Sequence, residues 1–234
     1  MANPLVEQVA RGDGGAMDMF VWEPESAPTA AMLLIQEIFG VGPYIRAVAE
    51  RLAGLGYLVG APDVFWRFAP HWESPHTADG LQSSVGKVQS LDFPLAIEDC
   101  GAALQQLKGH PGIERAGVIG FCLGGTLAWG VAGTGVADAC VSYYGSGVPS
   151  MIDLCGTVTC PTLFHFGNND PYLPSEGVDA LAAAVAGKDN FVINVEIAGH
   201  AFDNHEAPMF WNEAAARAAW AKTVAFLETE LPSS

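Results

Sequence analysis

The sequence predicts an α/β fold, a mostly parallel central sheet with helices on both faces, on three observations. Short apolar runs bounded by turn residues recur along the chain, patterns of helical period separate them, and 234 residues suffice for one domain with a large core. A stretch at 17–22 predicts a strand that extends an antiparallel edge. AAMLLIQ (30–36) and YLVGAP (57–62) are nearly free of polar residues, as strands covered on both faces require. Residues 63–91 then break the pattern with Pro, Gly, Ser, aromatics and histidines. A segment this long in a compact domain reads as a lid, a binding loop or an embedded short helix, lying over the end of the sheet where α/β folds bind ligands. Ala96, Cys100, Ala103 and Leu107 recur at helical intervals. AGVIGF (116–121), ACVSYYG (139–145), PTLFHFG (161–167) and FVINVEIAG (191–199) are further buried strands, and Trp220, Val224, Leu227 and Leu231 form the apolar stripe of a last helix. No repeat or low-complexity stretch divides the chain, so 1–234 reads as a single domain.

Composition narrows the function. Half of the residues are hydrophobic, 15% are charged, and no apolar run approaches the roughly 18 to 20 residues that cross a bilayer, so a soluble globular protein is expected. The start, MANPLVEQVARGDGG, lacks the basic-then-apolar order of a secretory leader, and there is no N-glycosylation sequon; the expected compartment is the cytoplasm. With 26 acidic against 10 basic residues the formal net charge is −16, which repels phosphate backbones and anionic lipid. Neither nucleic acid nor a membrane is an expected partner, and a monomer is the default oligomeric state. The five cysteines are odd in number and lack paired zinc spacing, which fits reduced thiols, with Cys155 and Cys160 in ordinary positions beside a loop.

Chemistry enters at Val118 to Gly130, VIGFCLGGTLAWG, where a buried strand turns sharply around Cys122 and continues into small residues that a helix can pack tightly. Gly120-x-Cys122-x-Gly124 has the spacing of a nucleophile elbow, with sulfur in place of the usual hydroxyl. Gly120, Gly124 and Gly125 suit a strained turn that neighbouring segments approach closely. The helix that follows aims its N-terminal amides at Cys122 and favours a thiolate. Downstream, Asp170 lies in the turn after PTLFHFG and His200 follows FVINVEIAG. Nucleophile, acid, histidine is the chain order of α/β-hydrolases, in which imidazole accepts the nucleophile's proton and the carboxylate orients it. The expected oxyanion hole is the backbone amide of Leu123 together with that of Ile38 after the first buried strand.

Gln36-Glu37-Ile38-Phe39-Gly40, the elbow Gly120-Phe121-Cys122-Leu123-Gly124-Gly125, Tyr143-Tyr144-Gly145, Asp170 and Gly199-His200-Ala201-Phe202 together resemble the dienelactone hydrolase family in order and spacing, over most of the chain. The resemblance implies an α/β-hydrolase fold, a triad of Cys122, His200 and Asp170, and hydrolysis of a lactone or enol ester such as dienelactone, opened to maleylacetate. It implies no metal or organic cofactor. It also implies that Glu37, an acid that is badly placed after an apolar run unless something pairs with it, contacts the resting thiol and takes part in its activation. Phe39, Tyr144, Phe202 and position 204 are the expected substrate contacts.

One feature departs from that pattern. The family recognises a substrate carboxylate with arginines, one of them four residues after the histidine; here Asn204 stands there and cannot replace a guanidinium's charge, while Asp203 adds repulsion. Arg67 is either a substitute anion contact or a surface arginine stacked on Trp66 or Phe68. His71 and His76 lack helical zinc spacing, Pro75 interrupts any helix between them, and no third ligand is indicated; they read as the polar rim of a lid. The substrate is therefore open to a second reading, another small ester or thioester, and to a third, a non-catalytic small-molecule binding protein on the same fold.

Overall fold

The apolar runs assemble into one sheet of eight strands, in the order β1-β2-β4-β3-β5-β6-β7-β8. In the computed structural model, which describes residues 4–233, these are β1 (Leu5–Ala10), β2 (Ala16–Trp22), β3 (Ala30–Ile35), β4 (Leu58–Pro62), β5 (Arg115–Phe121), β6 (Cys140–Tyr143), β7 (Thr162–Gly167) and β8 (Phe191–Glu196). From β4 to β8 all neighbours are parallel; β1–β2 and β2–β4 are antiparallel. The stretch at 17–22 is therefore antiparallel as expected, but it is not the edge. A tight turn, closed by Arg11 N–H donating to Gly15 O at 2.9 Å, folds β1 back outside it. Only Val9 of LVEQVA is buried, so β1 carries almost no alternation to read.

Helices α1 (Pro43–Gly54) and α6 (Glu213–Glu230) cover one face of the sheet. On the other lie α3 (Phe93–Lys108), α4 (Leu123–Gly133), α5 (Ser175–Val185) and a 3-10 segment (Val148–Gly156). Strand β3 shows why its run is apolar throughout: Ala31, Leu33 and Ile35 enter the second layer's core, while Ala30, Met32 and Leu34 enter the first. Residues 63–91 contain a helix, α2 (Ala78–Gln89), capped by Thr77 Oγ1, which accepts from Gly80 N–H at 3.2 Å. No helix among the described residues is long and apolar enough to cross a membrane.

The last helix corrects its expected stripe. Its buried line is Ala215, Ala219, Thr223 and Leu227, while Trp220 and Val224 lie to one side, half-buried. Small residues let α6 approach β7 and β8, and the hydroxyl of Thr223 is needed there: it meets Tyr143 Oη at 2.7 Å and His165 Nε2 at 2.9 Å. Asn194 Nδ2 is 2.9 Å from His165 Nδ1. With Nδ1 accepting from that amide, Nε2 carries the hydrogen and donates to Thr223. A second ring proton would confront the Asn194 donor, and burial with Lys222 nearby pushes the imidazole down to about 3.

The fold therefore refuses a proton that the unfolded chain accepts. Stability is fully present above about pH 6.5 and falls as pH drops toward 3, by on the order of 5 kcal/mol from this group. Replacing His165 by glutamine is expected to flatten the dependence of unfolding free energy on pH between those limits, measured by urea titration; an unchanged slope would assign the acid sensitivity elsewhere.

Candidate active site

Five loops leave the carboxyl ends of adjacent parallel strands, and each delivers one polar side chain. Glu37 follows β3, Cys122 follows β5, Tyr144 follows β6, Asp170 follows β7 and His200 follows β8. The elbow at Cys122 has φ 54° and ψ −114°, the left-handed side of backbone space that a non-glycine residue rarely enters. Cys122 N–H donates to Tyr143 O at 3.0 Å, which ties the turn to the next strand. Its flanking glycines are demanded by close approach. A Cβ at Gly120 would meet Gly124 O at 2.0 Å, and one at Gly124 would meet Ile35 O at 2.1 Å. The turn thus places the thiol at the start of α4, where amide dipoles favour negative charge.

His200 Nε2 lies 3.1 Å from Cys122 Sγ, and its Nδ1 lies 2.7 Å from Asp170 Oδ2. The other oxygen of Asp170 accepts from Tyr172 N–H at 2.8 Å, a local turn that fixes the carboxylate's orientation. Burial pulls the His200 pKa down, but the charge of Cys122 and the bonds to Asp170 and to sulfur outweigh it, so the imidazole is held above its usual range. The arrangement can move a proton from sulfur to Nε2 while Asp170 holds the opposite nitrogen. Among the described residues, neither the Ile38 nor the Leu123 amide is engaged by a backbone or side-chain acceptor.

Glu37 is 2% exposed and has a different partner from the one expected. Asn204 Nδ2 donates to its Oε2 at 2.6 Å, while the thiol's partner is His200. Burial raises the Glu37 carboxyl to about 7, against the opposing pull of His200 and Asn204.

Several expected substrate contacts need correction. Phe202 and Asn204 are fully buried. The Phe202 ring packs on Tyr144 and Tyr143 in the core, and the Asn204 amide is engaged by Glu37. Tyr144 turns its hydroxyl inward to Tyr44 Oη, 3.2 Å away, and presents only its ring to His200. Arg67 lies over the Trp66 ring, as one of its two readings had it, with its guanidinium held by both oxygens of Asp99 at 2.9 Å and by Asp13. A guanidinium locked in that way has no free fork for a substrate anion. Asp203 is also buried, bonded to Tyr44, so its charge does not line a path for ligand.

Phe39 alone of the expected aromatic contacts keeps a neighbour from the 63–91 segment, its ring 4.2 Å from that of His76. His71 instead pairs with Asp18 at 2.8 Å, so the two histidines do not share a site. Among the described residues no group of three His, Cys, Asp or Glu could hold a metal ion, and all five cysteines are free thiols. Sequence reading missed Tyr172, whose ring is 5.0 Å from His200, and Tyr44, buried in α1. Tyr172 had a signal in the turn Asp170-Pro171-Tyr172; Tyr44 had none beyond a helical apolar position.

The chain is 29% identical over 222 residues to carboxymethylenebutenolidase 1 of Cupriavidus pinatubonensis, covering 94% of each. It is 30% identical over 209 residues to the carboxymethylenebutenolidase of Pseudomonas putida, covering 88% of this chain and 89% of the relative. Among solved structures, a dienelactone hydrolase-like promiscuous phosphotriesterase from metagenomic libraries shares the fold, with a TM-score of 0.78, 23% identity and coverage of 97% and 99%. The profile of the dienelactone hydrolase family matches residues 17–231. With these strands, this elbow and that match over nearly its whole length, the chain belongs to the dienelactone hydrolase family.

Proposed function

We propose that this protein opens a small lactone or enol ester, of the dienelactone-to-maleylacetate type, through an acyl thioester on Cys122. The observation that carries this reading is the unbroken line from Asp170 Oδ2 to His200 Nδ1 at 2.7 Å and from His200 Nε2 to Cys122 Sγ at 3.1 Å. The carboxymethylenebutenolidase relatives support the substrate class. His200 Nε2 takes the thiol proton, and sulfur attacks the carbonyl carbon. The carbonyl oxygen gains charge against the Leu123 and Ile38 amides. The carbon–oxygen ester bond then breaks, and the leaving enolate takes the proton from Nε2. Water next gives a proton to Nε2 as it attacks the thioester; the carbon–sulfur bond breaks and sulfur recovers that proton. Each proton has a group on the chain to carry it, so the chemistry calls for no metal or organic cofactor.

One observation favours a second reading, a neutral ester or thioester. The Asn204 amide is engaged by Glu37, and the Arg67 guanidinium, the one candidate anion contact, is engaged by Asp99 and Asp13. A hydrogen bond to a charged group contributes roughly 1.5 to 3 kcal/mol, or about one to two decades in kcat/KM. The protein is therefore expected to prefer a carboxylate-bearing dienelactone over its methyl ester by less than about tenfold. Acid quenching during turnover is expected to trap an acyl adduct on the peptide containing Cys122, read by mass spectrometry. A preference for the acid above about a hundredfold would exclude the second reading. Binding of esters with no turnover and no adduct would exclude both in favour of a binding protein.

A further inference from the structure

Gln36 closes the run AAMLLIQ and is 1% exposed, although its side chain takes no part in the hydrolytic steps. A primary amide buried at the end of an apolar strand is unfavourable unless both of its ends are bonded. Both are. Val64 N–H, just past β4, donates to Gln36 Oε1 at 3.3 Å, and Gln36 Nε2 donates to the backbone oxygen of Glu37 at 3.3 Å. The reverse orientation of the amide would set N–H against N–H at one end and oxygen against oxygen at the other, so these two contacts fix which way the side chain points.

The carbonyl that Gln36 holds belongs to the Glu37–Ile38 peptide, whose other end is the Ile38 N–H. Gly40 N–H donates to the same oxygen at 3.3 Å. Two donors on one carbonyl fix the plane of the peptide, and in a trans peptide the N–H points opposite to the C=O. Ile38 N–H is thereby turned away from the side where Gln36 and Gly40 donate, and among the described residues it meets no acceptor. Donation to a carbonyl also polarises the peptide unit and makes its N–H a stronger donor. Through its backbone Gln36 reaches the elbow as well: a Cβ at Gly124, next to Leu123, would meet Gln36 O at 2.6 Å. The far side of the loop is braced separately, by Ser74 N–H on Phe39 O at 3.1 Å and by a bridge between Gly40 and Glu73.

We propose that Gln36 is a positioning residue for hydrolysis, setting the direction and the donor strength of the Ile38 amide through the Glu37 carbonyl. Its side chain bonds Val64 and Glu37, whereas the thiol, imidazole and Asp170 carboxylate bond one another, so the proton path and the oxyanion amide are held by different contacts. Losing Gln36 therefore weakens stabilisation of the carbonyl oxygen while the nucleophile keeps its base. The catalytic consequence rests on the hydrolase reading; the orientation of the Glu37–Ile38 peptide does not.

Gln36→Met keeps the length of the side chain and removes both bonds. It is expected to lower kcat on an aryl ester by about ten- to a hundredfold, less than outright loss of an oxyanion donor, with KM little changed. Two readouts separate positioning from general damage. Alkylation of Cys122 by iodoacetamide uses the thiol and His200 but forms no oxyanion, so its rate is expected to stay at the wild-type value. A thiono ester places sulfur, a weak acceptor, where the oxyanion forms, so wild type is expected to prefer the oxo ester and Gln36→Met to lose most of that preference. Gln36→Glu retains the acceptor for Val64 N–H; ionised at alkaline pH, it has no hydrogen for the Glu37 carbonyl and is expected to lose the same factor there, even if Gln36→Met does not fold. In the full chain carrying isotopically labelled isoleucine, the Ile38 nitrogen resonance is expected to move upfield in both variants, because the carbonyl of its peptide has lost a donor. Wild-type kcat in Gln36→Glu, equal losses on oxo and thiono esters, alkylation slowed in step with turnover, or an unmoved Ile38 resonance overturns the proposal. A wild type that turns over no ester removes the hydrolase reading, and the Ile38 resonance then decides by itself whether Gln36 orients that amide.

Discussion

Turnover is expected to fall by about four to six orders of magnitude when Cys122 is replaced by alanine, with the fold intact. The thiol is the only group in the proposed mechanism that forms a covalent bond to substrate, so its removal leaves positioning and the two amides alone. Six decades correspond to about 8 kcal/mol of transition-state stabilisation. Stability has little reason to change. The Cys122 side chain is partly exposed and its bonding partner is His200, while the strained φ of 54° is met by the glycine-lined turn around it, which alanine inherits. The measurement is steady-state kinetics on purified variant beside a urea titration. Activity within tenfold of wild type would falsify the nucleophile assignment; a lost fold would instead show that the thiol has a structural task that the distances do not reveal.

At neutral pH the largest effect of a substitution on stability is expected away from the thiol, at Asp99 of α3. Its carboxylate, 4% exposed, accepts from Arg11 Nε at 2.6 Å, from Arg67 Nε and Nη2 at 2.9 Å each, and from Trp66 Nε1 at 2.9 Å. One side chain thus joins the β1–β2 hairpin and the start of the 63–91 segment to a core helix. Asp99→Ala leaves two guanidiniums and an indole N–H without their acceptor, a loss on the order of 3 to 5 kcal/mol. The lower end is expected, because Arg11 and Arg67 are 15% and 26% exposed at the side chain and can regain water. Asp99→Asn keeps the shape and part of the acceptor capacity and is expected to lie between. A thermal midpoint that drops by less than about 2 °C in Asp99→Ala would show that the arginines rehydrate without penalty.

The reach of the sequence can be argued from particular elements. The strands of the parallel region were legible because a strand covered on both faces must be apolar at every position, as Ala30–Ile35 is. β1 was not, since an edge strand with a mostly exposed pattern has nothing to alternate. The stripe of α6 was misplaced toward Trp220 for a related reason. Bulk signals burial only on average, whereas the helix sits close to the sheet on Ala215, Ala219 and Thr223. The helix inside 63–91 was one of three readings of that segment. Its burial pattern is weak, with only Gly80 and Ser84 fully covered, so periodicity could not select it.

At the site, the sequence by itself determined the elbow and the order of thiol, carboxylate and imidazole, each past a strand end, at β5, β7 and β8. Those features are set by local backbone demands: glycine where a Cβ would strike Gly124 O or Ile35 O, and a turn directly after each strand. Only the tertiary structure decided what the long-range polar side chains do. Glu37 meets Asn204, 167 positions away, and Arg67 turns from a candidate anion contact into a partner of Asp99. Asp203 leaves the ligand's side for Tyr44. A buried charge takes whichever donor the packed layers bring within about 3 Å, and that choice depends on how helices and loops distant in sequence are seated against the sheet.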